Sequence, residues 1–294
     1  MRTHHGGTVP LARTTWAAAE PLHAVVYFAP EVRTASEAAG LRGFWRGYFA
    51  LRAAPLGPVG PQVVTALFYN FAPSMVARAV PEVWQRMTPD GALAARLAGV
   101  DGALRALVGE DVARHPAVGE AAPLARALVE AAPVGGRPLG AAVAGLPWPA
   151  EPHLVLWQAV TALRELRGDG HNAALLGEGI DGCAAHVLFA AVGGSARSLT
   201  QPNRGWTDDD WDARVADLTA RGLVARDGHA TEQGRRTRAA VEAATDRVAL
   251  DPATVLGPAG AARLLALLTD LSGRVVQAGV VPVPNPMGAP WPPP

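Results

Sequence analysis

Lysine is absent from this chain of 294 residues: every one of its 26 basic positions is arginine. A Schiff-base lysine and the lysine of a phosphate-binding loop are thereby excluded. The one cysteine, Cys183, rules out a disulfide within the chain and any multi-cysteine metal site. It sits in the apolar run CAAHVLFAAV, the setting of an inert buried thiol. Net charge is missing too: 26 acids balance the 26 bases, so no whole-chain field steers the protein to nucleic acid or an anionic membrane. No apolar run reaches the ~18 residues that cross a bilayer, and no signal-peptide pattern opens the sequence. The expectation is a cytoplasmic protein with no membrane partner. Gly-rich phosphate loops, a GxSxG elbow and a Rossmann fingerprint are likewise not found.

Strand periodicity is scarce, which sets the class as mainly α. Its one occurrence lies between two helical stretches. Thr207 N-caps a helix with acids in its first turn and with Trp211, Val215 and Leu218 on one face; Arg221-Gly222 ends it. Leu223 to Ala230 alternates around Asp227-Gly228, a tight-turn dipeptide, and Thr231 opens a second helix reaching about Leu250. Helix, small β-hairpin, helix is the winged half of a helix-turn-helix domain. The expected organisation is a flexible arm over 1–15, a helical domain over 16–145, a winged-helix-like domain over 146–280, and a proline-rich tail over 281–294 that packs back on the body. Within it, Trp16 to Tyr27 has helical spacing interrupted by Pro21, Val134 to Pro152 reads as loop, and Arg167 to His171 reads as a loop between two helices.

The helix that would enter a major groove carries Asp208, Asp209, Asp210, Asp212 and Asp217 against Arg214 and Arg221. Phosphates repel such a face, although Arg226, His229, Arg235, Arg236 and Arg238 follow on or beside the wing. DNA is therefore not the expected main partner. A small-molecule ligand is, with a homodimer left open.

The polar clusters suggest where that ligand would sit. In RGDGH, Asp169 and His171 flank a glycine with Arg167 close by; a carboxylate beside an imidazole suits general-base work, with His171 as proton carrier and Asp169 orienting it. The plainer reading makes Asp169 a helix N-cap. His23 lies on an apolar helix face with Tyr27 one turn on and Glu31 beyond a proline, as a third acid/base candidate or a hydrogen-bonded core residue. His23, Glu31 and His171 lack metal-ligand spacing, so no metal and no cofactor are expected, with haem or a single metal ion left open. Arg42, Arg46 and Arg52 alternate with Trp45 and Tyr48, with Tyr69 further on, which suits an anionic or planar ligand or else a core helix with snorkelling arginines. Asn70 and Asn285 are amides in apolar surroundings, and Arg204 and Trp206 could close a site from the winged side.

The ordered blocks EPLHAVVYFAPE, GFWRGYFALRAAPLGPVG, FYNFAP, LPWP, ELRGDGH, RGW, GLVARDGHATEQG, ATDR and PNPMG resemble the SalK-like helix-turn-helix family of actinobacteria. The winged portion is also similar to the MarR group of regulators. The resemblance implies a winged-helix fold and a setting in specialised metabolism, and carries no assigned catalytic residue. Together with the polar clusters it leads to the expectation of a small-molecule-binding protein derived from a winged helix. An enzyme using cofactor-independent acid/base chemistry in a pocket between the two halves comes first. A ligand-responsive transcription regulator and a non-catalytic sequestering protein are the alternatives.

Overall fold

The computed structural model describes residues 9–288 and 290–294. Most of the expected N-terminal arm, residues 1–8, lies outside the described residues. The chain is mainly α. Its helices are α1 (Leu11–Phe28), α2 (Pro30–Ala38), α3 (Phe44–Ala53), α4 (Pro61–Leu67), α5 (Pro73–Ala77), α6 (Glu82–Arg86), α7 (Pro89–Val108) and α8 (Pro116–Ala131). They continue as α9 (Pro138–Ala144), α10 (Pro152–Gly177), α11 (Gly182–Ala191), α12 (Arg197–Thr200), α13 (Asp208–Ala220), α14 (Glu232–Val248) and α15 (Pro252–Gln277). Proline-rich as the sequence is, helix survives because eight of these elements place a proline in the first turn, where no N–H partner is needed.

Two cores form. The larger unites α1–α3, α7, α8 and α15 with the first half of α10, where Val155, Trp157 and Val160 are buried. The smaller joins Leu175 at the end of α10 to Ile180, Val187, Leu188, Trp211, Leu218 and Val241 of the α11–α14 unit. Helix α10, ~39 Å long at the α-helical rise, is the spine shared by both. α15 is apolar enough by length and composition to cross a membrane, yet its Leu264, Leu267, Leu268, Leu271 and Val275 lie in the larger core.

The two cores are stitched along residues 69–72. Tyr69 donates to the Ile180 carbonyl (2.7 Å), Trp206 Nε1 to the Asn70 carbonyl (3.0 Å), and the Ala72 N–H to the Arg204 carbonyl (2.8 Å). Gly182 permits this approach, since a Cβ there would lie 1.9 Å from the Tyr69 oxygen.

Four expectations need correcting. α1 starts at Leu11 and runs through Pro21, so the arm is shorter than 1–15. The stretch 134–152 contains α9. RGDGH is not a loop but the middle of α10; Gly170 gives room for Val248 of α14, 2.8 Å from where a Cβ would sit. Packing there outweighs the ~1 kcal/mol helix cost of each glycine. The wing, finally, is no hairpin of strands: among the described residues it is a single Val224–Ala230 bridge. Ala225 donates across it to the His229 carbonyl (2.8 Å) and Thr231 to the Leu223 carbonyl (3.0 Å), but the Ala230 N–H leaves the pair for the Ala191 carbonyl of α11 (2.9 Å). The turn itself is as expected, with Gly228 at φ 84° and the Asp227 carboxylate accepting from the His229 N–H at 3.0 Å. So are the caps: Thr207 and Asp210 form a capping box, and Thr231 caps α14.

Candidate functional site

Between the two cores lies a cavity of about 470 Å³, lined by α1, α3, residues 67–71, α10, α11, α14 and the C-terminal tail. Its aromatic wall comes from α3, where Trp45, Tyr48 and Arg52 recur at helical spacing on one side. Tyr48 is the hub, its ring centroid 4.9 Å from Tyr27, 5.6 Å from Trp45 and 5.3 Å from Phe71. Such edge and tilted arrangements suit a flat apolar guest.

From Arg52 on that same helix starts a row of buried charges. Arg52 grips Glu165 through Nε–Oε1 and Nη2–Oε2, both 2.8 Å, and donates Nη1 to the Tyr48 hydroxyl at 3.1 Å. Arg164 donates to Glu165 (2.9 Å) and to Glu20 (3.1 Å). Burial alone would raise the Glu165 carboxyl, but Arg52 and Arg164 overcome it and hold Glu165 far below the usual carboxylate range. It is a fixed anion rather than a proton carrier. The other Glu20 oxygen is buried without a partner. Farther along α10, Arg167 donates to Asp246 (3.0 Å), while Glu242 pairs with Arg238 and with Arg13.

The structure brings Tyr27, Trp45, Tyr48, Arg52, Tyr69, Arg167, Asp169, His171 and Arg204 to one cavity. The Asp169–His171 dyad is a different matter. Two residues apart on a helix, they face different neighbours. Asp169 accepts from the Gly140 N–H (2.8 Å) at the start of α9, and His171 Nδ1 meets Thr245 Oγ1 (2.9 Å). Asp169 thus tethers α9 and does not orient His171. Burial raises Asp169 to about 6 against the opposing Gly140 hydrogen bond. Burial lowers His171 to about 4 despite Glu242, so its imidazole is neutral at pH 7 and a weak base.

Other expected positions fall outside the cavity lining. His23 is a core residue between Thr161 Oγ1 (3.0 Å) and the Tyr27 hydroxyl (3.1 Å), its pKa lowered chiefly by burial. Glu31 lies on α2 against α7, where the Glu31 Cβ would be 3.4 Å from a Cβ at Gly102. Trp206 supports the junction through Asn70. Asn285 is buried and shapes the tail turn, its Oδ1 accepting from the Met287 N–H (3.1 Å). Arg42 is exposed, and Arg46 pairs with Glu82 on the surface. Among the described residues no three His, Cys, Asp or Glu side chains gather as a metal site; His23, Glu31 and His171 do not converge.

Sequence reasoning missed Glu20, Arg164, Glu165, Phe68, Phe71, His186 and Phe189, all of which border the cavity. The signal was available for one pair: Arg164 and Glu165 are adjacent charges inside the apolar helix LVLWQAVTALRELR.

On α13 the cations are already engaged. Arg214 pairs with Asp181 (2.6 Å), Arg221 with Asp217 (3.5 Å), and Arg197 of α12 with Asp208 and Asp212 (both 2.7 Å). Asp209 and Asp210 remain exposed at its start.

No curated protein and no solved structure shows a significant match to the chain. A helix-turn-helix family model does match, over residues 12–282, which takes in the helical body as well as the α11–α14 unit, and the chain belongs to that family.

Proposed function

We propose that this protein binds a small organic molecule in the cavity between its helical body and its helix-turn-helix unit. The observation that carries the reading is that both cores and the tail contribute walls to one cavity. Its volume, about 470 Å³, falls in the ~300–1,000 Å³ range of ligand sites. Aromatic rings and arginines line it together, which suits a planar guest. The engaged cations of α13 support a fold turned away from DNA, because phosphate binding depends on Lys and Arg free to displace counterions. The likeness to SalK-like proteins supports specialised metabolism as the setting.

A second reading, catalysis without a cofactor, is favoured by Asp169: a buried carboxyl at about 6 can carry a proton near neutrality. In that reading Asp169 is the acid/base group and His171 only lines the cavity. Asp169→Asn would then abolish turnover of a bound compound while leaving its affinity intact.

Native mass spectrometry of freshly purified protein tests the binding claim. The expected result is a mass excess that disappears on denaturation, or a melting-temperature rise with members of a planar-compound panel. A bare chain mass with no panel member shifting the melting point would count against it. Fluorescence anisotropy on duplex DNA tests the other half: binding tighter than the ~10⁻⁴–10⁻⁶ M non-specific range at physiological salt would restore the regulator reading.

A further inference from the structure

Arginines crowd this cavity, and one stands apart. Arg52 and Arg164 share Glu165, with Glu20 closing the row. Arg13, Arg167 and Arg238 share Asp246 and Glu242. Arg204 has no such partner among the described residues. Its Nη1 donates to the Asn203 carbonyl (3.0 Å) and its Nη2 to the Pro286 carbonyl of the tail (2.6 Å). Its guanidinium stacks 4.8 Å over the Phe71 ring, at the edge of the aromatic wall. Carbonyls are dipoles, so the positive charge stays uncompensated in a poorly solvated place. Burial disfavours that charge, and Arg52 and Arg164 add like-charge repulsion.

Two side-chain atoms of residues bordering the cavity lack hydrogen-bond partners, although the His186 ring does bond the Asn70 backbone. His186, 8% exposed, has no hydrogen bond at Nε2, and the Asn70 Oδ1 has none either. Both border the cavity with Arg204, and His186 lies near enough that Arg204 adds to burial in lowering its imidazole to about 3.

Resting on the small-molecule reading above, we propose that the cavity takes a planar aromatic monocarboxylate, its carboxylate on Arg204 and its ring against Tyr48 and Phe71. A monocarboxylate supplies the carboxylate partner that Arg204, alone among these six arginines, lacks. The guanidinium plane offers two N–H groups side by side, the geometry a carboxylate accepts best. Because Arg204 also holds the Pro286 carbonyl, the arriving carboxylate shares or replaces that bond, which links occupancy to the seating of the tail.

The test is calorimetric titration of the full chain, dialysed free of carried ligand, with naphthoate, its neutral amide naphthamide and the cationic naphthylmethylammonium. Naphthoate is expected to bind at least about tenfold tighter than naphthamide, and the ammonium weakest. In Arg204→Gln the naphthoate affinity should fall to that of naphthamide, whose own affinity holds. Arg204→Lys should recover part of the difference, keeping the charge without the planar fork. Equal binding of naphthoate and naphthamide to the natural protein overturns the proposal. So does an Arg204→Gln variant that loses both probes alike. If Arg204→Gln fails to fold, the naphthoate–naphthamide comparison and Arg204→Lys still decide. Should none of the probes bind while native mass spectrometry shows a carried molecule, the carboxylate assignment falls and the cavity reading stands; if neither appears, both fall.

Discussion

Acidification should destabilise this protein well before ordinary carboxylates titrate. Burial lowers His171 to about 4 and, with Arg204, His186 to about 3, and it lowers His23 as well. Each imidazole has a folded pKa below its unfolded value of ~6.5. The unfolded chain therefore takes up protons that the fold refuses. The stability these residues contribute is complete above pH 6.5 and falls away as pH drops toward the folded values. One unit of pH inside that window removes ~1.4 kcal/mol per histidine, or ~4 kcal/mol for the three at pH 5.5. Asp169 works the other way: its folded pKa is raised to about 6, so its share is lost as pH rises through that value and regained on acidification. At pH 5.5 it returns less than ~1 kcal/mol, since that pH is only half a unit below its folded midpoint. The net expectation is a loss of ~3 kcal/mol between pH 7.5 and 5.5. Urea unfolding followed by tryptophan fluorescence reads this as a midpoint shift of ~1 M or more. His171→Gln and His186→Gln should each remove about a third of the drop. Stability that is flat or rising from pH 7.5 to 5.5 would refute the reasoning.

Three more expectations follow from the same contacts. Glu165→Gln leaves Arg52 and Arg164 without their shared anion, and chemical denaturation should show a loss of ~3–5 kcal/mol, the usual cost of breaking a buried pair. Gly182→Ala places a Cβ 1.9 Å from the Tyr69 oxygen and should cost ~1–3 kcal/mol or more, with limited proteolysis exposing the α11–α14 unit first. Cys183, its thiol pushed up to about 12 by burial, should resist iodoacetamide in the native protein and react once unfolded.

Local chemistry was the legible part of this fold. The Thr207 and Thr231 caps, the Gly222 stop and the Asp227-Gly228 turn could be read directly, because each is decided by a few adjacent residues. The aromatic segment was also visible as a face, since aromatics at helical spacing announce one, and that face lines the cavity. RGDGH misled because two glycines and a charge pair signal a loop when neighbours are ignored. Gly140 packed on Leu166 and Val248 packed on Gly170 supply the close contacts that keep it helical, and Gly140 and Val248 come from distant sequence. The dyad failed for the same reason: the partner of Asp169 is a backbone N–H 29 residues away. The wing shortened because the Ala230 amide found the Ala191 carbonyl of α11, a competition that strand alternation does not reveal. Glu20 and Glu165 went unnoticed since their meaning depends on arginines brought in by other helices.

The most direct trial of the account is a crystal structure of the protein grown with naphthoate. It predicts density inside the cavity, the carboxylate on the Arg204 guanidinium and the ring against Tyr48 and Phe71. A cavity closed by side chains and tail, with naphthoate bound only on the outer surface or not at all, would contradict it.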